Sequence, residues 1–232
     1  MKNKYFGDVN DYLKYGILRC FTESGFHVGV CWMLTPDDER SDGGKIGYLR
    51  QPKQWRKHDP ELFDFLCGRM DELTGRSVNW IEDPSILANT CFFNEIVPDR
   101  EPRRSSWFAE AMEDLNTCNL IFFDPDNGIE VPSVPRNRKN SSKYVYWDEL
   151  RIAWDRGASL LVFQHYPRKK RSEYISQMVD AMQKNLGGAN VTPLHTSNVL
   201  FLLAIRDEHL DSVNQAIELA KHRWTGRVHW EI

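Results

Sequence analysis

Short runs of consecutive apolar residues, each ending in polar turn-forming residues, restrict the fold of this sequence more than any other feature. The runs occupy residues 28–34, 120–123 and 159–163. A strand that faces solvent on one side alternates apolar and polar residues, whereas a strand covered on both faces is apolar throughout. Segments with helical spacing of apolar residues separate the runs. This order predicts a mostly parallel sheet with helices on both faces.

We therefore predict a single Rossmann-like three-layer α/β domain over residues 1–232, a length that suits one domain better than two. The runs at 190–195 and 198–205 are close enough to form an antiparallel hairpin at one edge of the sheet. Asp8 is the predicted N-cap of the first helix. Helices are expected at 8–24, 59–73, 105–116, 146–156, 170–186 and 207–223, further strands near 78–82, 91–96 and 226–231, and loops at 35–58 and 131–143.

Composition favours a cytoplasmic protein with a large core. Hydrophobic residues make up 41% of the chain, yet no apolar run reaches the roughly 18 residues that a membrane helix needs. The polar N-terminal segment lacks the apolar core of a signal peptide. Five cysteines with no Cys-x-x-Cys pair indicate reduced core thiols rather than disulfides or a zinc site.

The ends of the apolar runs carry the candidate chemistry, because ligands of open parallel sheets bind beyond the carboxyl ends of the strands. The run at 120–123 is followed by Asp124-Pro-Asp126-Asn127-Gly. A carboxylate directly after a buried strand is partly desolvated, so its proton affinity can be tuned. Asp124, Asp126, Asn127 and the nearby His165 are the candidate catalytic residues, suited to acid/base work or to stabilising a cation. The alternative is that the two aspartates only cap the turn.

Residues after the other runs would complete a site. The run at 159–163 leads into Gln164-His165-Tyr-Pro-Arg168, a group suited to reading the edge of a base, stacking on it and contacting phosphate. The net charge of −3 gives no global basic field, but basic residues cluster in three places. These clusters are Arg100/Arg103/Arg104, Arg136/Arg138/Lys139/Lys143 and Arg168-Lys-Lys-Arg171, and they are either solvated turns or the flanks of one groove.

The order of three motifs resembles adenine-N6 methyltransferases that act on large-subunit ribosomal RNA. The motifs are Asp11-Tyr-Leu-Lys14, the turn that begins at Asp124, and His165-Tyr-Pro. The resemblance implies a Rossmann-like fold and a S-adenosylmethionine-dependent enzyme. The sequence departs from the family after residues 28–34, where acids stand in place of the glycines that let the cofactor approach the backbone. Asp126 and Asn127 also replace the proline and the aromatic residue of the family motif.

A second resemblance covers nearly the whole chain. Its signature is Tyr5-Phe-Gly-Asp8, then Trp-x-Leu-Thr-Pro-Asp from Trp32, Asp42-Gly, Phe-Phe-Asp-Pro-Asp-Asn-Gly, and Gln164-His165. The chain is similar to a widespread bacterial family with this signature, and through it to phage-defence DNA glycosylases that excise glucosylated hydroxymethylcytosine. The resemblance implies a hydrolase that binds phage DNA with modified bases.

This second resemblance also implies roles for individual residues. Asp124 or Asp126 would activate water or stabilise a sugar cation, and Asn127, Gln164 and His165 would hold the base. Arg168 and Lys45 would contact phosphate. The candidate substrate-binding residues are Tyr5, Asp8, Lys14, Asp42, Lys45, Gln164 and Arg168, with no metal ligand and no cofactor. Three alternatives stay open: a methyltransferase, a Mg²⁺-dependent nuclease with ligands from Asp37, Asp42, Asp124 and Asp126, and a non-catalytic binding module.

Overall fold

A seven-stranded sheet forms the middle layer of the molecule in the computed structural model, which describes residues 1–37, 43–72 and 75–230. The sheet order is β2-β1-β3-β6-β8-β7-β9. Its strands are β1 (Val28–Cys31), β2 (Thr90–Phe93), β3 (Leu120–Phe123), β6 (Ser159–His165), β7 (Asn190–His195), β8 (Val199–Ile205) and β9 (His229–Trp230). A separate two-stranded parallel sheet pairs β4 (Gly128–Ile129) with β5 (Tyr144–Val145).

Strand directions confirm the predicted mostly parallel sheet with an antiparallel hairpin. Strands β2, β1, β3 and β6 are parallel to one another. Strand β8 is antiparallel to both β6 and β7, and β9 is antiparallel to β7. The carboxyl ends of β1, β3 and β6 therefore lie at the same edge of the sheet, with β3 in the middle.

Helices cover both faces of the sheet and complete the predicted three-layer α/β fold. The helices are α1 (Val9–Glu23), α2 (Pro52–Trp55), α3 (Pro60–Glu72), α4 (Arg103–Asp114), α5 (Trp147–Asp155), α6 (Arg171–Asn185) and α7 (Leu210–Arg223). Residues of α1, α3 and α7 share one apolar core, and residues of α4, α5 and α6 share the other. Successive residues of β3 alternate between the two cores, which explains why all four are apolar.

Local signals fix the start of α1 as predicted. The Asp8 carboxylate accepts a hydrogen bond of 2.8 Å from the backbone nitrogen of Asn10 and caps the helix. Strand β1 is shorter than the predicted run 28–34, because Met33 takes a positive φ of 47° and turns the chain after Trp32. Among the described residues, no helix is both long and apolar enough to cross a membrane.

The strand predicted near 78–82 is wrong, since this segment is a short 3-10 helix, Val78–Ile81. The Ser77 side chain caps it by accepting a bond from Asn79, and Val78 and Ile81, three residues apart, are both buried on one side of the tight turn. The predicted loop 35–58 contains α2 and a second 3-10 helix, Gly47–Arg50. Tyr48 of that helix stacks on Tyr12 of α1, with 5.2 Å between ring centroids.

Candidate functional site

A cavity of about 440 Å³ opens at the carboxyl ends of β3 and β6, beside the first turns of α1. This is the edge of the sheet at which the sequence predicts a site. Most of the predicted site residues line the cavity, namely Tyr5, Asp8, Lys14, Lys45, Asp124, Asp126, Asn127 and His165. The predicted residue Asp42 lies outside the described residues, and Gln164 and Arg168 do not line the cavity.

Backbone bonds hold the turn after β3 in place on both sides. The Asp124 nitrogen donates to the Cys31 carbonyl at 3.0 Å, which extends the pairing of β3 with β1. The Asn127 nitrogen donates to the Lys143 carbonyl at 2.9 Å, where β4 begins to pair with β5. The turn thus carries both aspartates at the cavity wall, with Asp124 1% and Asp126 6% exposed.

Lys14 joins helix α1 to the turn through a buried cluster of charges. Its Nζ lies 2.7 Å from Asp124 Oδ2 and 2.9 Å from Asp11 Oδ1. The Tyr15 hydroxyl donates to the second oxygen of Asp11 at 3.0 Å. Residues 11, 14 and 15 meet here because positions three and four apart share one face of a helix. Asp11 is not among the predicted site residues, although its spacing of three residues from Lys14 on a predicted helix is a signal that identifies it.

One cation shared between two carboxylates determines how this cluster ionises. Burial opposes the charge of Lys14, but attraction to Asp11 and Asp124 outweighs it and raises the pKa of the ammonium group. Burial raises the pKa of Asp11 to about 6, against the attraction of Lys14. The two shifts are consistent, because protonation of Asp11 leaves one buried pair of opposite charges, Lys14 and Asp124. Asp11 is therefore a buried carboxyl whose pKa lies above its ordinary value.

Asp126 is held less completely than Asp124. Its Oδ2 lies 3.6 Å from Lys2 Nζ and 3.6 Å from Lys143 Nζ. Its Oδ1 is buried and has no hydrogen-bond partner among the residues that the structure describes. A buried carboxylate oxygen without a partner is costly, so it indicates a position at which water or a bound molecule donates a hydrogen bond.

Side chains at the end of strand β6 alternate between the two faces of the sheet. Phe163 and His165 both line the cavity, and their rings meet edge to face at 4.9 Å between centroids. The His165 side chain is accessible from the cavity. The surrounding protein nevertheless desolvates its imidazole, and this desolvation lowers the pKa of the ring. The imidazole is therefore neutral at pH 7, with one nitrogen able to donate and the other able to accept.

Gln164 points to the other face of β6 and supports the turn after β3 from behind. Its Oε1 accepts from the Ile129 nitrogen at 2.7 Å, and its Nε2 donates to the His165 carbonyl at 3.0 Å. Gly128 lies against this amide at a φ of 122°, and a Cβ there would come within 2.3 Å of Oε1. Gln164 thus bonds to backbone groups next to the site rather than facing the cavity.

Residues 1–2 cover the carboxyl end of β1. The Met1 amine donates to the carbonyls of Met33 at 3.1 Å and Asp124 at 3.0 Å, and the Met1 carbonyl accepts from Thr35 at 2.9 Å. Met1 and Lys2 are each 2% exposed. In Rossmann-like enzymes the space beyond the first strand receives the cofactor, but here the chain itself fills it.

The three predicted basic clusters have different surroundings. Arg104 is buried and forms two bonds to Glu149, of 2.7 and 2.8 Å, while Arg136 reaches the same carboxylate at 2.8 Å. These arginines hold α4, α5 and the segment before β5 together. Arg168 is exposed after the end of β6, near the edge that carries the cavity.

Comparison of the sequence with family models finds no match, and comparison with curated proteins finds none.

Proposed function

We propose that this protein is a nucleic-acid base-processing hydrolase of the DNA glycosylase type. The observation that carries the proposal is the pair of buried aspartates on one turn at the wall of the cavity, one of them with an unpartnered oxygen. The cavity volume of about 440 Å³ lies within the range of about 300–1,000 Å³ that small-molecule sites occupy. Enzymes that act on a base turn it out of the helix into a pocket of this kind.

Hydrolysis of an N-glycosidic bond passes through a cation-like sugar, which a fixed carboxylate stabilises. The bond electrons leave with the base nitrogen, and the base takes up one proton. Water adds its hydroxyl to C1′, and its other proton, which a carboxylate takes up, replaces over the whole reaction the proton that the base received. The products are a free base and an abasic sugar, so the reaction requires only water as co-reactant.

Asp126 is the better candidate for direct contact with the reacting atoms, because its Oδ1 is available. Asp124 is paired with Lys14 at 2.7 Å, so it fixes the turn that carries Asp126. Asn127 and the neutral imidazole of His165 both supply hydrogen-bonding groups at the cavity wall for a base. Gln164 acts in this proposal as a positioning residue.

Two observations favour this function over a methyltransferase and over a Mg²⁺-dependent nuclease. Methyl transfer needs a cofactor beyond β1, and Met1 and Lys2 fill that space. A Mg²⁺ nuclease needs more than one carboxylate free for the metal, whereas Lys14 neutralises Asp124 and Asp126 offers a single unpartnered oxygen. The substrate that we propose is phage DNA with glucosylated hydroxymethylcytosine, on the basis of the sequence resemblance, and the proposed location of the enzyme is the cytoplasm.

The first test compares DNA substrates that differ only in the cytosine modification. The protein is incubated with unmodified, hydroxymethylated and glucosylated DNA, and both abasic sites and released base are measured. Abasic sites together with free modified base are the expected products from glucosylated DNA. If none of the three substrates releases base, the glycosylase proposal is wrong. Strand cleavage that depends on added Mg²⁺, with no abasic intermediate, would support a nuclease instead.

The second test removes the charge of Asp126. Asp126→Asn is expected to lower the rate of base release by about 10²–10⁴-fold, the usual contribution of a positioned acid or base. Asp114→Asn, the same change on the exposed end of α4, is the matched control and should keep full activity. Equal activity of the two variants would remove Asp126 from the reaction.

A further inference from the structure

A second group of potential ligands lies at the opposite, amino edge of the sheet. His27 directly precedes β1, Cys91 is the second residue of β2, and Cys118 lies two residues before β3. One donor atom from each of the three residues lies within 4.8 Å of the other two donors. The residues are far apart in sequence, so no local spacing reveals the group.

The sheet register places the three side chains on one face. Cys91 is paired with Gly29, and His27 lies two residues before Gly29, so both side chains point to the same side. Gly29 has no side chain, and a Cβ at Gly29 would lie only 3.2 Å from Cys118 Sγ. The absent side chain gives Cys118 room to approach from the loop after α4.

The imidazole of His27 is oriented as metal-binding histidines are. Its Nδ1 lies 3.2 Å from the Thr117 carbonyl, which can only accept, so Nδ1 carries the hydrogen. Nε2 then has its lone pair 3.4 Å from Cys91 Sγ. A hydrogen bond from the second ring nitrogen to a backbone carbonyl is the usual support of a metal-bound histidine.

Backbone bonds fix the two segments that carry His27 and Cys118. The His27 nitrogen donates to Asn119 Oδ1 at 2.9 Å, and the Asn119 nitrogen donates back to the His27 carbonyl at 3.0 Å. The donors are therefore held in place by the fold before any ligand binds.

We propose that His27, Cys91 and Cys118 bind one Zn²⁺ ion. Two sulfur donors and one imidazole select zinc over Mg²⁺ or Ca²⁺. Zinc bonds of about 2.3 Å to sulfur and 2.0–2.1 Å to nitrogen place tetrahedral S and N ligands about 3.5 Å apart. The 3.4 Å between Cys91 Sγ and His27 Nε2 matches that edge. His27 and Cys91 are only half-buried, so a water molecule completes the coordination from the solvent side.

The position of the site, at the edge of the sheet away from the cavity, indicates that the ion stabilises this edge and takes no part in the proposed hydrolysis. The ion would join the edge strand β2 to β1 and to the loop before β3, at the edge of the sheet opposite the cavity. Zinc binding is therefore independent of the proposed hydrolase activity. Because the ion binds the folded chain, the thermal midpoint should rise with zinc concentration.

The first experiment titrates the chelator-treated, reduced full chain with Co²⁺ and then with Zn²⁺. We expect a thiolate-to-cobalt charge-transfer band that saturates at one equivalent and is abolished by Zn²⁺. Cys91→Ser and Cys118→Ser should each weaken binding by more than about 100-fold, since loss of a mere outer-sphere partner already costs about 10–100-fold. Cys67→Ser, which removes a half-buried thiol of α3, is the matched control and should bind as the wild type does.

The second experiment needs no variant, so it stands even if a substitution prevents folding. The wild-type chain is alkylated with and without one equivalent of Zn²⁺, and modified cysteines are identified by mass spectrometry. Zinc should protect Cys91 and Cys118 but leave Cys67 reactive. Unchanged alkylation of Cys91 and Cys118 would overturn the proposal. A disulfide between these two cysteines in the zinc-treated sample would also overturn it, because the disulfide and not the metal would then explain the protection.

Discussion

At the scale of single residues, the site depends on how a few buried charges are shared. Lys14 forms ion pairs with both Asp11 and Asp124, but its single positive charge can neutralise only one of the two carboxylates. Asp11 is left with the raised pKa, and Asp126 with an unpartnered oxygen. A carboxyl group whose pKa is raised by burial beside a cavity is typical of sites that move protons. The cluster therefore has a consequence for stability that can be measured without a substrate.

We predict that Asp11→Asn stabilises the protein above pH 6. The folded-state pKa of Asp11 is about 6, against an ordinary value of 3.8. Between these values the folded chain binds a proton that the unfolded chain has lost, so the unfolding free energy falls as pH rises. At about 1.36 kcal/mol per pKa unit, the raised pKa of Asp11 lowers the unfolding free energy by about 3 kcal/mol between pH 4 and pH 6. Asparagine stays neutral at every pH, so the Asp11→Asn variant avoids this fall in unfolding free energy. The amide of the asparagine can still form hydrogen bonds with Lys14 and Tyr15.

Urea unfolding of the wild type and Asp11→Asn from pH 4 to pH 8 measures this difference. The advantage of the variant should be small at pH 4, grow until about pH 6 and then stay constant. Asp114→Asn on the surface should show no such trend. A difference between wild type and Asp11→Asn that does not change with pH would show that Asp11 ionises normally.

At the scale of secondary structure elements, sequence patterns predicted the types of most elements but not their exact contacts. The apolar run at 120–123 and the turn after it indicated a buried strand and a site, and the strand lies at those residues. The run at 159–163 indicated a strand but not its extension to His165. That extension decides which side chains face the cavity, because residues alternate between faces along a strand. Gln164 therefore faces away from the cavity, although its sequence neighbours indicated base reading.

Gly16 of α1 lies against the ring of Trp224, a contact between helices that helix propensity alone could not predict. In an exposed helix, glycine to alanine stabilises by about 0.5–1 kcal/mol. A Cβ at Gly16 of α1, however, would lie 1.9 Å from the ring of Trp224, which is fully buried after α7. We predict that Gly16→Ala destabilises the protein by at least about 1–3 kcal/mol, the usual cost of overpacking.

Gly68→Ala in α3 is the matched control, since a Cβ there meets nothing within 4 Å. It should raise the unfolding free energy while Gly16→Ala lowers it, as measured by urea denaturation. If both substitutions stabilise the chain, α1 and α7 do not pack as closely as the structure indicates.

At the scale of the whole molecule, the sequence predicted the α/β class and the edge of the sheet that carries the cavity. Alternating strands and helices fix those features, and polar residues after the strands mark the edge. The cavity shape, the covering of β1 by Met1 and Lys2, and the group at His27 arise from contacts between distant segments. Such contacts leave no local periodicity, so one sequence could not reveal them.

The distribution of charge over the molecule leads to the last prediction, which rests on the proposed DNA substrate. The net charge of −3 opposes nucleic acid overall, so binding requires local cations at the cavity edge. Arg104 and Arg136 are occupied by Glu149, whereas Arg168 is exposed at that edge. A side chain that contacts one phosphate contributes about −0.9 to the slope of log affinity against log salt. Arg168→Ala should therefore weaken DNA binding and make the slope shallower by about this amount.

Lys184→Ala is the control, because it removes one positive charge from an exposed side chain at the far end of α6, away from the cavity edge. Binding of fluorescent duplex DNA is measured over a series of salt concentrations for wild type and both variants. The same salt slope for Arg168→Ala and wild type would mean that DNA does not cross this edge. Equal loss in both variants would mean that the DNA responds to total charge alone. Only a loss confined to Arg168→Ala locates the phosphate backbone beside the cavity, where a base turned out of the duplex could reach Asp126.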